Sequence, residues 1–304
     1  MYLQHFGMRE LPFRLTPDTS YFYNYASYHE ALNVLLVAIR SGEGFIKIVG
    51  EVGTGKTLLC RKLLATLDEE FVTAYIPNPY LTPSALRMAL ADELNIDYDR
   101  KIGLHRLLKL INDRLVELTA AGKQVVLCLD EAQAMPEETL EALRLLTNLE
   151  TEKQKLLQIV LFGQPELDEI LDRRSVRQLK QRIAFSFILK PIDRKGLDAY
   201  VGHRLLVGGY TDKPLFSYAA LNELYKASRG VPRIINILCH KALMSAYGRG
   251  EKTIDRKHIR AAVKDTEGIK APRRQVFRFA DYGIMSAILF ATTMGLYYFL
   301  GVAG

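Results

Sequence analysis

The segment GEVGTGKT, at residues 50–57, constrains the fold of this chain more than any other feature of the sequence. It begins at the end of the apolar run FIKIVG, residues 45–50, and leads into KTLLCRKLLATL, whose leucines have helical spacing. Together these segments predict a strand, a glycine-rich turn and a helix, in that order. The pattern GxxxxGK[ST] is typical of a P-loop, in which backbone N–H groups and the positive end of the helix dipole surround phosphate oxygens. The motif therefore predicts an α/β fold that binds a nucleotide.

The P-loop motif also assigns individual contacts. Lys56 is expected to reach the β- and γ-phosphates, and the Thr57 hydroxyl to hold Mg²⁺. The residues predicted to bind the nucleotide are Gly50, Glu51, Val52, Gly53, Thr54, Gly55, Lys56, Thr57 and Leu58. The alternative interpretation of the segment is a glycine-rich turn without a ligand.

Apolar runs alternate with helical patterns over the rest of the first two thirds of the chain, which is the order expected of a mainly parallel sheet. The predicted strands lie at residues 45–50, 73–78, 125–130, 156–163 and 184–192. Between them, Thr82 is a predicted helix N-cap followed by Pro83 at the first helical position. No further strand is predicted after Pro191, and residues 193–264 indicate about four helices. The sequence therefore predicts a nucleotide-binding domain at 1–192 and a helical domain at 193–265.

A second chemical signal is VVLCLDEAQ, residues 125–133, where a predicted strand ends in two carboxylates. Asp130 is placed to support Mg²⁺ through water, and Glu131 to polarise the water that attacks the γ-phosphate. An acidic pair after a strand is equally consistent with a solvated loop when it stands alone. Downstream of a P-loop it predicts hydrolysis of the nucleotide as well as binding.

The last 22 residues, 283–304, contain no charged side chain. About twenty helical residues cross the roughly 30 Å hydrocarbon core of a bilayer, so residues 282–303 predict one transmembrane helix. The alternatives are a buried core helix or an amphipathic interfacial helix. A core helix of this length normally keeps a polar stripe, and this segment shows none. Residues 266–281 form a basic linker before the helix, and the positive-inside bias then places residues 1–281 in the cytoplasm.

The cysteines, the histidines and the distribution of charge bear on whether the chain has disulfides, a metal site or a nucleic-acid partner. Cys60, Cys128 and Cys239 form no CxxC pair, so neither a disulfide framework nor a zinc site is indicated, and a reducing compartment fits best. The six histidines include no pair at metal-ligand spacing. The net charge of +7 suggests nucleic acid at first, but nine basic against five acidic residues lie between Glu251 and Asp281, just before the apolar tail.

Several short motifs in combination resemble the AAA+ ATPases of the ExeA/GspA type. The resemblance covers roughly residues 1–265, and within the family it is strongest to members associated with the mannose-sensitive haemagglutinin (MSHA) type IV pilus. The motifs are the P-loop, the DEAQ box, HFGMRELPFRLTPD near the start, EALRLLTNLET at 141–151, VLFGQPEL at 160–167, QLKQRI at 178–183 and GVPRIIN at 230–236.

The resemblance implies a three-layer αβα AAA+ domain with a parallel sheet, followed by an α-helical lid. It also implies ATP and Mg²⁺ as ligands and roles for three more residues. Gln164 corresponds to sensor 1, which reads the γ-phosphate, although Asn or Thr is more usual there. Arg182 resembles the arginine finger that reaches the nucleotide of a neighbouring subunit, with Arg177 and Arg173 as competitors. Arg233 resembles sensor 2 on the lid, and helix capping or a lid salt bridge is its alternative role.

Two classes of function are consistent with these features. The first is a membrane-anchored ATPase of the bacterial inner membrane. It is expected to form a ring-shaped homo-oligomer and to act with pilus or secretion components. The second is a DNA-handling ATPase of the transposition or initiation type, which usually carries an additional DNA-binding module. No such module is recognised after residue 264, so nucleic acid is not expected as a partner. A nucleotide switch that rarely hydrolyses ATP is a third possibility, against which Asp130 and Glu131 argue.

Overall fold

The computed structural model describes residues 2–147, 149–150 and 155–266 of the chain. These ranges contain all of the predicted nucleotide-binding and helical domains except five internal residues and Met1. Most of the predicted basic linker and the whole predicted transmembrane helix, residues 282–303, lie outside them. Within the described ranges, no helix combines the length and the apolarity that a membrane crossing requires.

A parallel sheet organises the first part of the chain. Its strands in the described residues are β1 (Phe45–Gly50), β2 (Phe71–Ile76), β3 (Gln124–Leu129), β4 (Gln158–Gly163) and β5 (Phe185–Leu189). Their order across the sheet is β2-β3-β4-β1-β5, and each neighbouring pair is parallel. Because the strands are parallel, all five carboxyl ends lie at one edge of the sheet. The segments that follow β1, β3 and β4 therefore meet there.

Helices cover both faces of this sheet. The helices in this part of the chain are α1 (Tyr2–Phe6), α2 (Ala26–Arg40), α3 (Lys56–Leu64), α4 (Pro83–Glu93), α5 (Leu104–Ala120), α6 (Glu137–Leu146), α7 (Glu166–Leu171) and α8 (Arg177–Lys180). Single 3₁₀ turns lie at Thr19–Tyr21, Ala132–Ala134 and Arg174–Val176. As predicted, Pro83 begins α4 and the Thr82 side chain accepts a hydrogen bond from the backbone N–H of Ala85.

The alternation of side chains along β1 explains the three layers. Ile46 and Ile48 belong to a hydrophobic cluster that includes buried residues of α2 and α3. Phe45 and Val49 point to the other face and belong to a second cluster, built with residues of α4, α5 and α6. Every residue of β1 is buried, so the strand packs against other elements on both faces, and its one charged side chain, Lys47, forms an ion pair with Asp168. The predicted αβα arrangement is confirmed.

Four further helices follow the sheet, in agreement with the sequence prediction for residues 193–264. They are α9 (Arg194–Val207), α10 (Tyr218–Ser228), α11 (Pro232–Gly248) and α12 (Arg256–Lys264). Their buried apolar side chains join the same cluster as those of α2 and α3, so these helices pack on that side of the sheet domain.

The amino-terminal segment contacts both parts. The Tyr2 hydroxyl lies 2.9 Å from Nδ1 of His240 on α11, and the backbone N–H of Arg9 donates to the Gly208 carbonyl at the end of α9. Further along, the Arg61 guanidinium of α3 donates to the Pro17 carbonyl over 2.9 Å. The first 17 residues thus run from the helical region to the helix that follows the P-loop.

Candidate active site

The P-loop connects β1 to α3 at the carboxyl edge of the sheet. Gly55 caps α3 with a φ of 91°, so the helix begins directly at Lys56 and its first N–H groups face the loop. From α2, the buried Tyr28 hydroxyl donates to the Thr54 carbonyl and braces the loop from behind. Burial keeps the pKa of Tyr28 far above its ordinary value, so the hydroxyl stays a donor. The sequence analysis did not predict this contact.

Helix α11 touches the P-loop at Gly53. The backbone N–H of Arg233 donates to the Gly53 carbonyl over 3.1 Å. Gly53 has a φ of +79°, and a Cβ there would lie 2.6 Å from Cβ of Arg233. Two features therefore require glycine at this position: its left-handed backbone conformation and the close approach of the helix. Arg233 therefore lies beside the P-loop, and its role as sensor 2 stays a prediction.

A cleft of about 320 Å³ opens between the P-loop, the amino-terminal segment and the helices α9 and α11. This volume lies at the lower end of the range of small-molecule sites. The predicted residues Val52, Gly53, Gly55, Lys56, Thr57, Leu58, Glu131 and Arg233 line the cleft. Residues 14–17, Tyr200, Arg204, Pro232 and Asn236 complete the lining, and sequence reasoning assigned none of these to the site.

Lys56 is held inside the loop. Its Nζ donates to the carbonyls of Gly50, over 2.7 Å, and of Glu51, over 3.0 Å. Burial lowers the pKa of Lys56, and the nearby carboxylates of Glu131 and Asp130 oppose that effect. A cation at this point, beside the amino end of α3, suits a phosphate ligand.

Asp130 lies at the end of β3, almost fully buried, with 2% of its surface exposed. The backbone N–H of Glu131 donates to its Oδ1 over 3.0 Å. Burial raises the pKa of Asp130, against the opposing effects of the Thr57 hydroxyl and this N–H group. A hydroxyl and a carboxylate brought together are hard oxygen donors of the kind that Mg²⁺ prefers, so the residues fit the predicted ion. The described residues contain no cluster of three or more histidine, cysteine or carboxylate side chains suited to a metal.

Two glutamines hold the carboxylate of Glu131. Nε2 of Gln164 donates to Oε2 of Glu131 over 2.9 Å, and Nε2 of Gln133 donates to the same oxygen over 2.5 Å. The backbone N–H of Gln164 also donates to Oε1 of Gln133 over 2.9 Å, which closes the network. Burial alone would raise the pKa of Glu131, but these hydrogen bonds and Lys56 hold it below its ordinary value. The arrangement keeps an ionised carboxylate at the edge of the cleft.

Gln133 was missing from the predicted site residues. Gln133 is part of the DEAQ box, but the sequence of this box does not show which of its side chains contacts the carboxylate of Glu131. Glu131 adopts a left-handed backbone conformation, with φ 54°, and the 3₁₀ turn that follows brings Gln133 beside it. Gln164 reaches the same point from the end of β4, next to β3 in the sheet.

The three candidate finger arginines lie apart from this group. Arg182 is exposed and donates from Nη1 to the Thr147 hydroxyl over 2.7 Å. Arg173 forms an ion pair with Glu137, and Arg177 begins α8. Of the described residues that line the cleft, none is one of these three.

Comparison with known proteins agrees with this fold. Residues 39–171 match the AAA domain family. The chain is 45% identical over 270 residues to the general secretion pathway protein A of Aeromonas hydrophila. That match takes in 89% of this chain but only 49% of the relative, so the chain spans about half the length of this relative.

Solved structures share the fold at low identity. Cdc6p from Pyrobaculum aerophilum superposes with a TM-score of 0.65 at 20% identity, over 83% of this chain and 72% of that one. The Aeropyrum pernix ORC2 protein gives 0.60 at 17% identity, over 84% and 73%. The RuvB branch migration motor of Thermotoga maritima gives 0.51 at 17% identity, over 78% and 68%. These similarities concern the fold alone.

Proposed function

We propose that this chain is an AAA+ ATPase of the ExeA/GspA type and that it hydrolyses ATP in the P-loop cleft on behalf of a secretion or type IV pilus machine. One observation carries the hydrolytic part of the proposal. The ionised Glu131 is held by Gln133 and Gln164 at the edge of the cleft that Lys56 and Thr57 line. Such a carboxylate is suited to accept a proton from an attacking water.

In this proposal each residue has a distinct task. The N–H groups of residues 50–58 and the Lys56 ammonium bind the phosphates. Thr57 and Asp130 would hold Mg²⁺, which supplies positive charge for the terminal phosphates when it is bound. Glu131 takes the proton of the water that attacks the γ-phosphorus as the bond to the leaving ADP oxygen breaks. Gln164 keeps Glu131 in position and senses the terminal phosphate.

Oligomerisation is the next part of the proposal. Arg182 is exposed and lies outside the cleft of its own chain, which favours action on the nucleotide of a neighbouring copy. Residues 1–192 and 193–265 are proposed to be a nucleotide-binding domain and its lid, with Arg233 linking the lid to the P-loop. A ring of identical subunits would bring each Arg182 to the next site.

The membrane part of the proposal rests on the sequence. The uncharged run at 283–304 follows a basic segment, which supports a single anchor in the bacterial inner membrane with the ATPase domain in the cytoplasm. The related general secretion pathway protein A supports a secretion-related client. Among such clients we favour the machinery of an MSHA-like pilus, because of the sequence motifs described above.

Hydrolysis is tested with the purified full-length protein in detergent. ATP turnover should require Mg²⁺ and disappear in Lys56→Met, while Lys101→Met, a matched change at an exposed lysine, should keep the wild-type rate. Turnover by Lys56→Met at the wild-type rate would contradict the proposed site.

The client is tested in the membrane. Cross-linking of the full-length protein in native membranes, followed by mass spectrometry of its neighbours, should recover pilus or secretion components. Recovery of DNA-bound proteins instead would contradict the proposal and favour a DNA-handling ATPase.

A further inference from the structure

Three buried polar side chains form a hydrogen-bonded network along the side of the cleft. They are Arg204 and Tyr200 on α9 and Asn236 on α11, and each keeps only 5–6% of its surface exposed. All three line the cleft, and none of them belongs to the P-loop or to the group around Glu131. Polar side chains at this depth normally have a complete set of hydrogen-bond partners, so each donor and acceptor can be followed in turn.

The direction of hydrogen-bond donation in this network is set by Arg204, because its side chain has donors only. Its Nε donates to the Pro12 carbonyl over 2.6 Å, and its Nη2 to the Arg14 carbonyl over 3.1 Å. The guanidinium also lies 4.6 Å from the centre of the Tyr21 ring, a favourable cation–π distance. The amino-terminal segment thus holds Arg204 in one place.

The remaining bonds fix the orientation of Asn236. Nη1 of Arg204 donates to the Tyr200 oxygen over 3.3 Å, so this oxygen acts as an acceptor and its proton must go elsewhere. The hydroxyl donates that proton to Oδ1 of Asn236 over 3.0 Å. Because an amide that accepts through Oδ1 cannot turn round without losing this bond, its Nδ2 is fixed on the opposite side. Among the described residues, no acceptor receives a hydrogen bond from Nδ2, which belongs to a residue that lines the cleft.

The position of Asn236 along the cleft indicates what it meets. Arg233, three residues earlier on α11, sits at the phosphate-binding end through its bond to Gly53. Residues three apart lie on one helix face, about 4.5 Å apart along the axis. Asn236 is therefore about one turn beyond the phosphate end of the cleft, whose lining also includes the apolar side chains of Leu15, Pro17 and Pro232. Apolar surfaces beside an oriented amide donor suit a planar base with ring-nitrogen acceptors.

We propose that Asn236 donates a hydrogen bond from Nδ2 to a ring nitrogen of the bound purine, and that Tyr200 and Arg204 position it for this contact. The inference rests on the proposed nucleotide site and adds a residue that reads the base. It also assigns a role to the amino-terminal segment, because the carbonyls of Pro12 and Arg14 hold Arg204, the first residue of the hydrogen-bond relay from Arg204 through Tyr200 to Asn236.

The first test compares ATP with inorganic tripolyphosphate, using calorimetric titration of the full-length protein in detergent. Asn236→Ala should bind ATP about fivefold more weakly, the typical effect of one lost hydrogen bond, and tripolyphosphate as well as the wild type does. Asn236→Asp replaces the Nδ2 donor by an acceptor and should weaken ATP binding further. Asn33→Ala, at an exposed position of α2, is the matched control and should change neither affinity. Equal ATP affinity in Asn236→Ala and the wild type would overturn the inference, and so would an equal loss for tripolyphosphate.

The second test identifies the acceptor and separates a base contact from a purely structural role. ATP analogues in which N1, N3 or N7 is replaced by carbon are titrated against the wild type and Asn236→Ala. One analogue should bind the wild type about fivefold more weakly than ATP does and show no such loss with Asn236→Ala. Unchanged binding of all three analogues to the wild type would overturn the base contact while leaving the ATP site intact. A wild type that binds no ATP would overturn the proposed function as well.

Tyr200→Phe tests the positioning role. Without the hydroxyl, Oδ1 of Asn236 loses its donor and the amide is free to rotate. ATP affinity should fall toward that of Asn236→Ala, and the double variant should bind no more weakly than Asn236→Ala alone. Additive losses in the double variant would contradict the relay.

Discussion

Replacing Gly53 by alanine tests the contact between the P-loop and α11. Gly53 has a φ of +79°, and its carbonyl accepts the backbone N–H of Arg233. Gly42 offers a matched control, since its φ is +76° and a Cβ there would meet nothing within 4 Å. It lies just before β1, at the edge of the sheet opposite the P-loop. Alanine at either position has the same unfavourable backbone conformation, but only alanine at Gly53 would also clash with Arg233.

The size of the difference follows from the distances. A side chain in the left-handed region costs about 1–2 kcal/mol at either position. At Gly53 the new Cβ would also lie 2.6 Å from Cβ of Arg233, whereas carbon atoms settle at about 3.5–4.0 Å. The start of α11 would therefore retreat by about 1 Å and stretch the 3.1 Å hydrogen bond beyond a useful length. Losing that bond adds about 1 kcal/mol to the cost.

Thermal unfolding and ATP titration measure the result. Gly53→Ala should unfold about 2–4 °C below Gly42→Ala, the shift expected from about 1 kcal/mol in a domain of this size. Its ATP affinity should also fall, because the cleft lies between the P-loop and α11, while Gly42→Ala should bind like the wild type. Equal melting temperatures and equal affinities for the two variants would refute the contact argument.

Three other perturbations address the remaining parts of the account. Arg182→Ala should abolish turnover, and mixing it with the P-loop variant Lys56→Met, which keeps its own Arg182, should restore part of the ATPase rate; no recovery at any mixing ratio would rule out action in trans. Removing residues 282–304 should release the protein from membranes with an unchanged melting temperature, and continued sedimentation with carbonate-washed membranes would contradict the anchor. Gln133→Leu removes a donor that lowers the pKa of Glu131, so that pKa should rise and the acidic limb of the kcat profile should move to higher pH; an unmoved or downward-shifted limb would contradict the role given to Gln133.

Much of the fold was accessible from sequence because its signals are local. The bounds of β1, the N-cap at Thr82 and the four helices after residue 193 all follow from neighbouring residues. The strand predicted at 73–78 instead spans Phe71–Ile76. Its end precedes Pro77, which lacks an N–H for the ladder, and its start pairs Phe71 with Gln124 of β3, a partner that the strand's own residues do not reveal.

The part of the site that sequence reasoning missed depends on contacts between distant segments. Gln133 and Gln164 meet at Glu131 because β3 and β4 are neighbours in a sheet whose strand order is not written in any one motif. Arg204 meets the Pro12 carbonyl across 192 positions of the chain. Asn236 stood within the GVPRIIN motif, but its orientation depends on Tyr200 of another helix. Motifs identified the phosphate end of the cleft, and tertiary packing supplied the other end.

Glu131→Gln gives the most direct test of the central claim, that this carboxylate accepts the proton of the attacking water. The amide keeps the size of the side chain but is no longer a base, so ATP should bind with wild-type affinity while turnover falls by about a hundredfold or more. Glu138→Gln, an exposed matched change on α6, should leave both unchanged. ATP hydrolysis by Glu131→Gln at the rate of Glu138→Gln, measured with both proteins saturated with ATP and Mg²⁺, would contradict the account.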